Sequence, residues 1–146
     1  MDPRAFHALA SKLAASTGAA EMRSASSRAY YAAFLMVDAF LRDLGFSPAK
    51  NESRHRTVEY LLSYSADAVL LQASTNLRGL RQHRNDADYD MSKSDPESPA
   101  SARASVARAT GIIRAVDGFG PGPRRTSVQA SIAATLRRLS PGGGPP

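Results

Sequence analysis

The spacing of its apolar residues is the feature that most limits what this chain can fold into. Apolar residues recur at steps of three and four along nearly the whole sequence, and clusters of β-branched residues are scarce. Such a period gathers apolar side chains on one side of a helix, whereas a strand needs a period of two. The sequence therefore predicts an all-α protein.

One stretch, residues 20–44, is apolar over most of its circumference when it is drawn as a helix. This pattern is typical of a central helix that other helices surround, and Gly45 supplies a common stop signal. A first helix is expected to begin after Pro3 and to end at Gly18. The other predicted helices are a short one around residues 58–62, one over 67–88 and one over 100–116.

The charge balance and the Gly/Pro content of the sequence change at about residue 118. Residues 1–118 hold fifteen of the nineteen Lys and Arg and all thirteen Asp and Glu, so this part is nearly balanced in charge. We therefore expect a helical bundle over residues 1–118, followed over residues 119–146 by a flexible, basic tail. The tail consists of a Gly/Pro-rich linker, a short amphipathic helix and a Gly/Pro run that is typical of disorder. The helix is expected to dock on its own body or on a partner, through Val128, Ile132, Leu136 and Leu139.

Composition excludes several kinds of site and compartment. The chain has no cysteine, which excludes disulfides, zinc–thiolate sites and a cysteine nucleophile and suits the cytoplasm. Its three histidines are scattered, so neither a metal nor a cofactor is expected. The longest uncharged apolar stretch, residues 29–37, is far shorter than the ~18 residues of a membrane span. The beginning of the chain leads into no apolar run, so no secretory signal is expected.

Two stretches of sequence are more specific than those of a generic bundle. SRAYYAAF occupies residues 27–34 and RNDADYD occupies residues 84–90, with RHRTV at residues 54–58 between them. In this order they resemble the HEPN family, over about residues 20–118. The resemblance implies a four- to five-helix up-down bundle that usually forms a homodimer. It also implies a component of a bacterial toxin–antitoxin or defence module that binds RNA or a nucleotide.

Many members of this family are ribonucleases that carry an Arg, often followed directly by Asn or Asp, and a His after four to six intervening residues. RNA supplies its own nucleophile, the 2′-hydroxyl, and a His of near-neutral pKa can move the proton. The Arg stabilises the charge that develops on the phosphate. The resemblance therefore implies that any cleavage would be that of a metal-independent endoribonuclease.

In this chain Arg84 and Asn85 match the family's arginine, but Tyr89 occupies the first position at which the His is expected. A tyrosine has an ordinary pKa near 10 and is a poor general base, although it can donate a hydrogen bond. Arg78 and His83 give a second match. Random placement of the same arginines and histidines along the chain would produce roughly one such match. The presence of Tyr89 where the His is expected therefore predicts weakened or absent ribonuclease activity.

These considerations select two groups of candidate site residues. The candidate catalytic residues are Arg84 as a phosphate clamp, with Tyr89 and His83 as proton or hydrogen-bond groups. The candidate binding residues are polar and lie in or beside the two motifs; they are Arg28, Arg78, Arg81, Asn85 and Asp88. Arg28 is flanked by apolar residues, so it must reach water or pair with an acid, for which residues 86, 88 and 90 are candidates.

Each candidate also has a structural interpretation. Arg84 and Asp88 have the spacing of a surface ion pair, and His83 has the character of an ordinary exposed histidine. His55 is expected to be a cap or a structural hydrogen-bond partner. For the whole protein, the missing His favours a non-catalytic module, an adaptor or antitoxin-like partner of a nucleotidyltransferase. The frequency of ribonucleases in the family and the Arg84–Asn85 pair favour the RNA- or nucleotide-binding component of a toxin–antitoxin or defence module.

Overall fold

The computed structural model describes residues 1–140, in which all regular structure is helical. This confirms the predicted fold class. The tail helix begins at Pro123, five residues before the first apolar residue that predicts it. The Gly/Pro run over residues 141–146, which the sequence predicts to be disordered, lies outside the described residues. The helices are α1 (Arg4–Ala14), α2 (Ala19–Asp43), α3 (Arg54–Ser63), α4 (Ala68–Tyr89), α5 (Pro99–Asp117) and α6 (Pro123–Leu139), with a 3-10 turn at Asp95–Glu97.

The ends of the helices follow from local chemistry. Gly45 adopts a φ of 96°, and the N–H of Phe46 donates to the carbonyl of Leu41 at 2.9 Å. This left-handed glycine ends α2 as the sequence predicts. At the start of α4 the Asp67 side chain accepts hydrogen bonds from two backbone N–H groups of the first turn, which is the usual role of an N-cap aspartate.

The central position predicted for α2 is also confirmed. α2 packs against α1, α3, α4 and α5. Ala25, Ala29, Ala32 and Ala33 are all fully buried, and their small side chains let neighbouring helices approach closely. Because two of those neighbours, α3 and α4, also carry polar residues of the motifs, α2 is the element against which the candidate site is assembled.

α6 packs against its own body, which is one of the two alternatives that the sequence leaves open. Val128 and Ile132 are buried in the main hydrophobic core. The Gln129 side chain donates to the carbonyl of Leu44 at 2.8 Å, and Arg124 pairs with Asp67 at 2.7 Å. None of the helices formed by residues 1–140 combines the length and apolar character needed to cross a membrane.

Candidate functional site

The motif residues of α2, α3 and α4 meet in one polar cluster. We call it the Arg84 cluster and define it as Arg84, Tyr30, Tyr31, His55 and Asp88. Tyr30 and Tyr31 come from the middle of α2, His55 from the first turn of α3, and the other two residues from the last two turns of α4. The HEPN-like stretches, which are far apart in sequence, are therefore brought together in space.

Arg84 is held in place before any ligand binds. Its Nη2 donates to the hydroxyl of Tyr31 at 2.6 Å and its Nη1 donates to Oδ1 of Asn85 at 2.8 Å. The guanidinium carbon lies 5.2 to 5.6 Å from the ring centroids of Tyr30, Tyr31 and Tyr89, distances at which cations and aromatic faces attract. Only 11% of its side chain is exposed.

The hydrogen bonds of Arg84 to Tyr31 and Asn85 use two of its five N–H groups. The buried Nε has no hydrogen-bond acceptor among residues 1–140, and it lies 3.5 Å from Oδ2 of Asp88 without forming a hydrogen bond. The same Asp88 oxygen accepts a hydrogen bond from Ser27 at 3.0 Å. Burial acts to lower the pKa of Arg84, but the hydrogen bond to Tyr31 and the nearby acidic groups outweigh it and raise the pKa. Arg84 is therefore permanently charged and has N–H groups that form no hydrogen bond within residues 1–140.

His55 is tied to the core through Tyr30. Its Nδ1 lies 2.6 Å from the Tyr30 hydroxyl, and Tyr30 is fully buried. Burial raises the pKa of Tyr30 above its usual range, so the hydroxyl keeps its proton. The described residues offer this hydroxyl no other acceptor, so it donates to Nδ1 and the ring carries its proton on Nε2. Burial, together with the nearby arginines, lowers the pKa of His55.

A second buried charge lies beside this cluster. Glu59 of α3 is 2% exposed, and its Oε1 lies 2.9 Å from Nε of Arg81. The N–H is not directed at that oxygen, which has no aligned donor, so the contact is ionic. Burial raises the pKa of Glu59, whereas Arg81, Arg78 and Arg56 act to lower it. Arg81, a predicted binding residue, thus forms an ion pair with a buried acid of the same chain.

The remaining candidates lie at different distances from this centre. Tyr89 is 73% exposed, and its ring covers Arg84. Arg78 is exposed on α4, and His83 is half-buried and has no hydrogen bond among residues 1–140. Arg28 lies over the rings of Phe6 and Tyr31 at 5.5 and 5.6 Å. Within the described part of the chain it forms no ion pair with any of the acids considered for it.

The arginine that pairs at the end of α4 is Arg23. It is 8% exposed, and its guanidinium donates to the backbone carbonyls of residues 86, 87, 90 and 93 and to Oε1 of Glu97, at 2.5 to 3.2 Å. It thereby caps the end of α4 that carries Arg84 and Asp88. Sequence reasoning misses this residue, although the argument applied to Arg28, a charge within an apolar helix, applies equally to it.

Over residues 1–140, six packed helices form a bundle, and a buried arginine held by a tyrosine lies where three of them meet. This part of the chain is therefore an all-helical bundle with a polar site. The sequence model of the HEPN domain matches residues 5–119. The chain therefore belongs to the HEPN family, as the motifs predict. Neither a curated protein nor a solved structure matches the chain.

Membership of this family indicates a function connected with nucleotides or RNA, and HEPN domains often dimerise and bind RNA. Within residues 1–140 no three His, Asp or Glu side chains are placed to hold a metal ion together.

Proposed function

We propose that this chain binds RNA or a nucleotide through a phosphate at the Arg84 cluster, as a component of a bacterial toxin–antitoxin or defence module. The observation that carries the proposal is that Arg84 is held in place by Tyr31 and Asn85, bonds that use only two of its five N–H groups. A guanidinium that is fixed in advance loses little conformational entropy when it binds a phosphate. Tyr89, whose ring covers Arg84, is placed to donate a second hydrogen bond to the same ligand.

Cleavage by this site would need no metal. The 2′-hydroxyl of RNA would be the nucleophile, and Arg84 would stabilise the charge that develops on the phosphate. As the 2′-oxygen bonds to phosphorus and forms a cyclic phosphate, the bond to the 5′-oxygen would break. The hydroxyl proton would pass to His83, and Tyr89, at the position where the family's ribonucleases carry a His, would donate a proton to the leaving 5′-oxygen. A homodimer would place two Arg84 clusters on one RNA, and light scattering at tens of micromolar should then give twice the chain mass of 15.5 kDa. A monomer would contradict the shared site.

A second candidate function is favoured by the state of His55. Its Nδ1 accepts a hydrogen bond from the Tyr30 hydroxyl and its Nε2 carries a proton, so the neutral ring has no free lone pair with which to act as a base. The histidine of the Arg84 cluster is thus a hydrogen-bond donor. This favours binding without cleavage, as in a non-catalytic adaptor or antitoxin-like partner of a nucleotidyltransferase.

The test is to incubate the purified protein with a structured RNA in EDTA and to measure cleavage on gels and binding by fluorescence anisotropy. Arg84→Ala should abolish binding, and Arg84→Lys should weaken it because lysine cannot make paired contacts. Arg103→Ala is the matched control, because Arg103 is exposed on α5 and has no ion pair in the described part of the chain. Circular dichroism would verify that each variant folds.

The outcomes separate the two functions. Cleavage in EDTA that disappears only in the Arg84 variants supports a metal-independent ribonuclease. Binding without cleavage, together with copurification of a nucleotidyltransferase, supports the adaptor. Wild-type affinity in folded Arg84→Ala would overturn both versions of the proposal.

A further inference from the structure

The α3–α4 hairpin carries more positive charge than the Arg84 cluster accounts for. α3 and the part of α4 that precedes Asp86 contain five arginines and a single carboxylate, that of Glu59. Three of these arginines are held by carboxylates: Arg54 by Asp38 at 2.7 Å, Arg81 by Glu59 at 2.9 Å and Arg84 by Asp88 at 3.5 Å. The other two are Arg56 and Arg78, which are exposed and form no ion pair within residues 1–140.

Arg56 and Arg78 lie near one another although they belong to different helices. The hydroxyl of Ser74 donates to the carbonyl of Glu59 at 3.0 Å, which fixes how α3 lies on α4. Arg56 precedes Glu59 by three residues and Arg78 precedes Arg81 by three, so each lies within one turn of the Glu59–Arg81 contact. Both also act on the charge of the Glu59 carboxylate. Because Glu59 offsets Arg81, the two exposed arginines set the net charge of this surface.

An exposed aromatic ring completes the surface. Tyr60 is 47% exposed and follows Arg56 by four residues, which places both on the same side of α3. We call the surface formed by Arg56, Arg78 and Tyr60 the α3–α4 basic face. Arg78 and Arg84 are six residues apart on one helix, a rise of about 9 Å and a separation of about 120° around its axis, so a strand that reaches both must wind partly around α4.

This combination matches one class of ligand. Single-stranded nucleic acids are bound by cations that contact the phosphates and by aromatic rings on which bases stack. The bases of a duplex are already paired and stacked, so a lone exposed tyrosine has little to offer it. An acidic peptide would use the arginines but would gain nothing from a base-stacking ring.

We propose that the α3–α4 basic face binds single-stranded RNA that runs from the Arg84 cluster towards the turn between α3 and α4. Arg56 and Arg78 contact its phosphates, and Tyr60 stacks on a base. This deepens the proposed function and rests on it, because the same strand supplies the phosphate at Arg84. It adds the form of the RNA, its path over the protein and the residues that hold it outside the site.

The test measures anisotropy of a labelled twelve-nucleotide single-stranded RNA and of a duplex of the same length, in EDTA, from 50 to 200 mM KCl. The variants are the double substitution Arg56→Gln with Arg78→Gln, and Tyr60→Ala. The matched control is Arg103→Gln with Arg114→Gln, which removes the same charge from exposed positions on α5. All changes are at exposed positions, and circular dichroism would verify the fold.

The wild type should bind the single strand more tightly than the duplex. The double variant should bind it at least about tenfold more weakly, and its log–log salt slope should fall by about 1.4, since each single-strand phosphate contact contributes about 0.7. Tyr60→Ala should weaken single-strand binding at least about fivefold and leave duplex binding unchanged. The control variant should keep the wild-type salt slope and lose less than about twofold in affinity.

Other results overturn the proposal in distinguishable ways. If Arg84→Ala abolishes binding while the α3–α4 double variant equals its control, the basic face is wrong and the proposed function stands. If the double variant loses affinity while Arg84→Ala does not, the role of Arg84 is wrong. Equal affinity for the duplex, or tighter binding of a poly-glutamate peptide than of RNA, refutes single-stranded RNA as the ligand. No RNA binding by the wild type refutes both proposals.

Discussion

At the scale of single residues, the pair formed by Tyr30 and His55 shows how burial sets the chemistry of an exposed group. Tyr30 has no way to lose its proton inside the core, so it acts as a donor and fixes which nitrogen of His55 carries hydrogen. His55 is only half-buried, and its protonated Nε2 is the nitrogen that remains for other contacts. Because the buried Tyr30 hydroxyl donates to Nδ1, the free nitrogen of this histidine acts as a hydrogen-bond donor.

The first prediction concerns this hydrogen bond. In the wild type, nitrogen-detected NMR should find His55 as the Nε2–H tautomer, and Tyr30→Phe should remove that preference. The variant should also lower the free energy of unfolding by about 1 kcal/mol, the usual contribution of one such bond. Tyr60→Phe is the control, because its exposed hydroxyl has no hydrogen bond within residues 1–140, and it should change neither quantity. A wild-type His55 in the Nδ1–H tautomer would contradict the assignment.

The second prediction concerns pH. The pKa of His55 is lowered from 6.5 in the folded protein, by burial first and then by Arg84, Arg81 and Arg54. The unfolded chain therefore takes up this proton before the folded chain does as the pH falls. The contribution of His55 to stability should be present above about pH 6.5 and should decrease as the pH falls from there towards the folded pKa.

The measurement is the free energy of unfolding by denaturant between pH 5 and 8. His55→Gln should remove part of the fall in stability below pH 6.5. An NMR titration that places the pKa of His55 above 6.5 would reverse the sign and refute the prediction.

These residues also show the limits of sequence reasoning. Arg84 can be singled out because it belongs to a specific motif whose chemistry is understood. His55 and Tyr30 cannot be paired from the sequence, because periodicity indicates which side of a helix is buried but not which helix it faces. Arg23 could have been singled out as a charge within an apolar helix, but its role could not be predicted, because four of its partners are backbone carbonyls, which every residue has.

At the scale of helices, the position of the site depends on the C-terminal end of α4. The last carbonyls of a helix lack partners within it, and here Arg23 of α2 donates to those of residues 87 and 90 and to that of Lys93 beyond. It also donates to the carbonyl of Asp86, which accepts from the N–H of Asp90 as well. Glu97 holds the other side of the same guanidinium. The end of α4, and with it Asp88 and Tyr89, is therefore fixed to the central helix.

The third prediction is that Arg23→Met lowers the free energy of unfolding by about 3 kcal/mol, because it leaves buried carbonyls and Glu97 without their donor. Arg23→Lys should fall between Arg23→Met and the wild type, since an ammonium cannot reach all of these acceptors. Hydrogen exchange of residues 86–93 should become faster. Arg28→Met is the control from the same helix and should cost less than about 1 kcal/mol, because Arg28 contacts only ring faces. Equal costs for the two arginines would contradict the capping role.

At the scale of the whole molecule, the core extends on both sides of residue 118. Phe119, Val128 and Ile132 are buried in the same hydrophobic cluster as the residues of α2 and α4. The charge pattern and the Gly/Pro content predict a tail that begins at this position, and they predict correctly that it contains an amphipathic helix. They do not show where the helix docks, because docking depends on the shape and charge of the surface that the other helices form. Arg124 and Arg125, two of the four tail arginines, pair with Asp67 and Asp43 of the body.

The fourth prediction follows from this packing. Ile132 is fully buried and Leu139, on the same helix, is 63% exposed. Ile132→Ala should lower the free energy of unfolding by about 2 to 4 kcal/mol, since it removes buried methyl groups and leaves a cavity, whereas Leu139→Ala should change it by less than about 0.5 kcal/mol. Unfolding followed by far-ultraviolet circular dichroism and by tyrosine fluorescence should give one coincident transition, because α6 and the bundle share a core. Two separate transitions, or a cost for Ile132→Ala as small as that for Leu139→Ala, would instead mean that residues 1–118 fold as a unit that does not need α6.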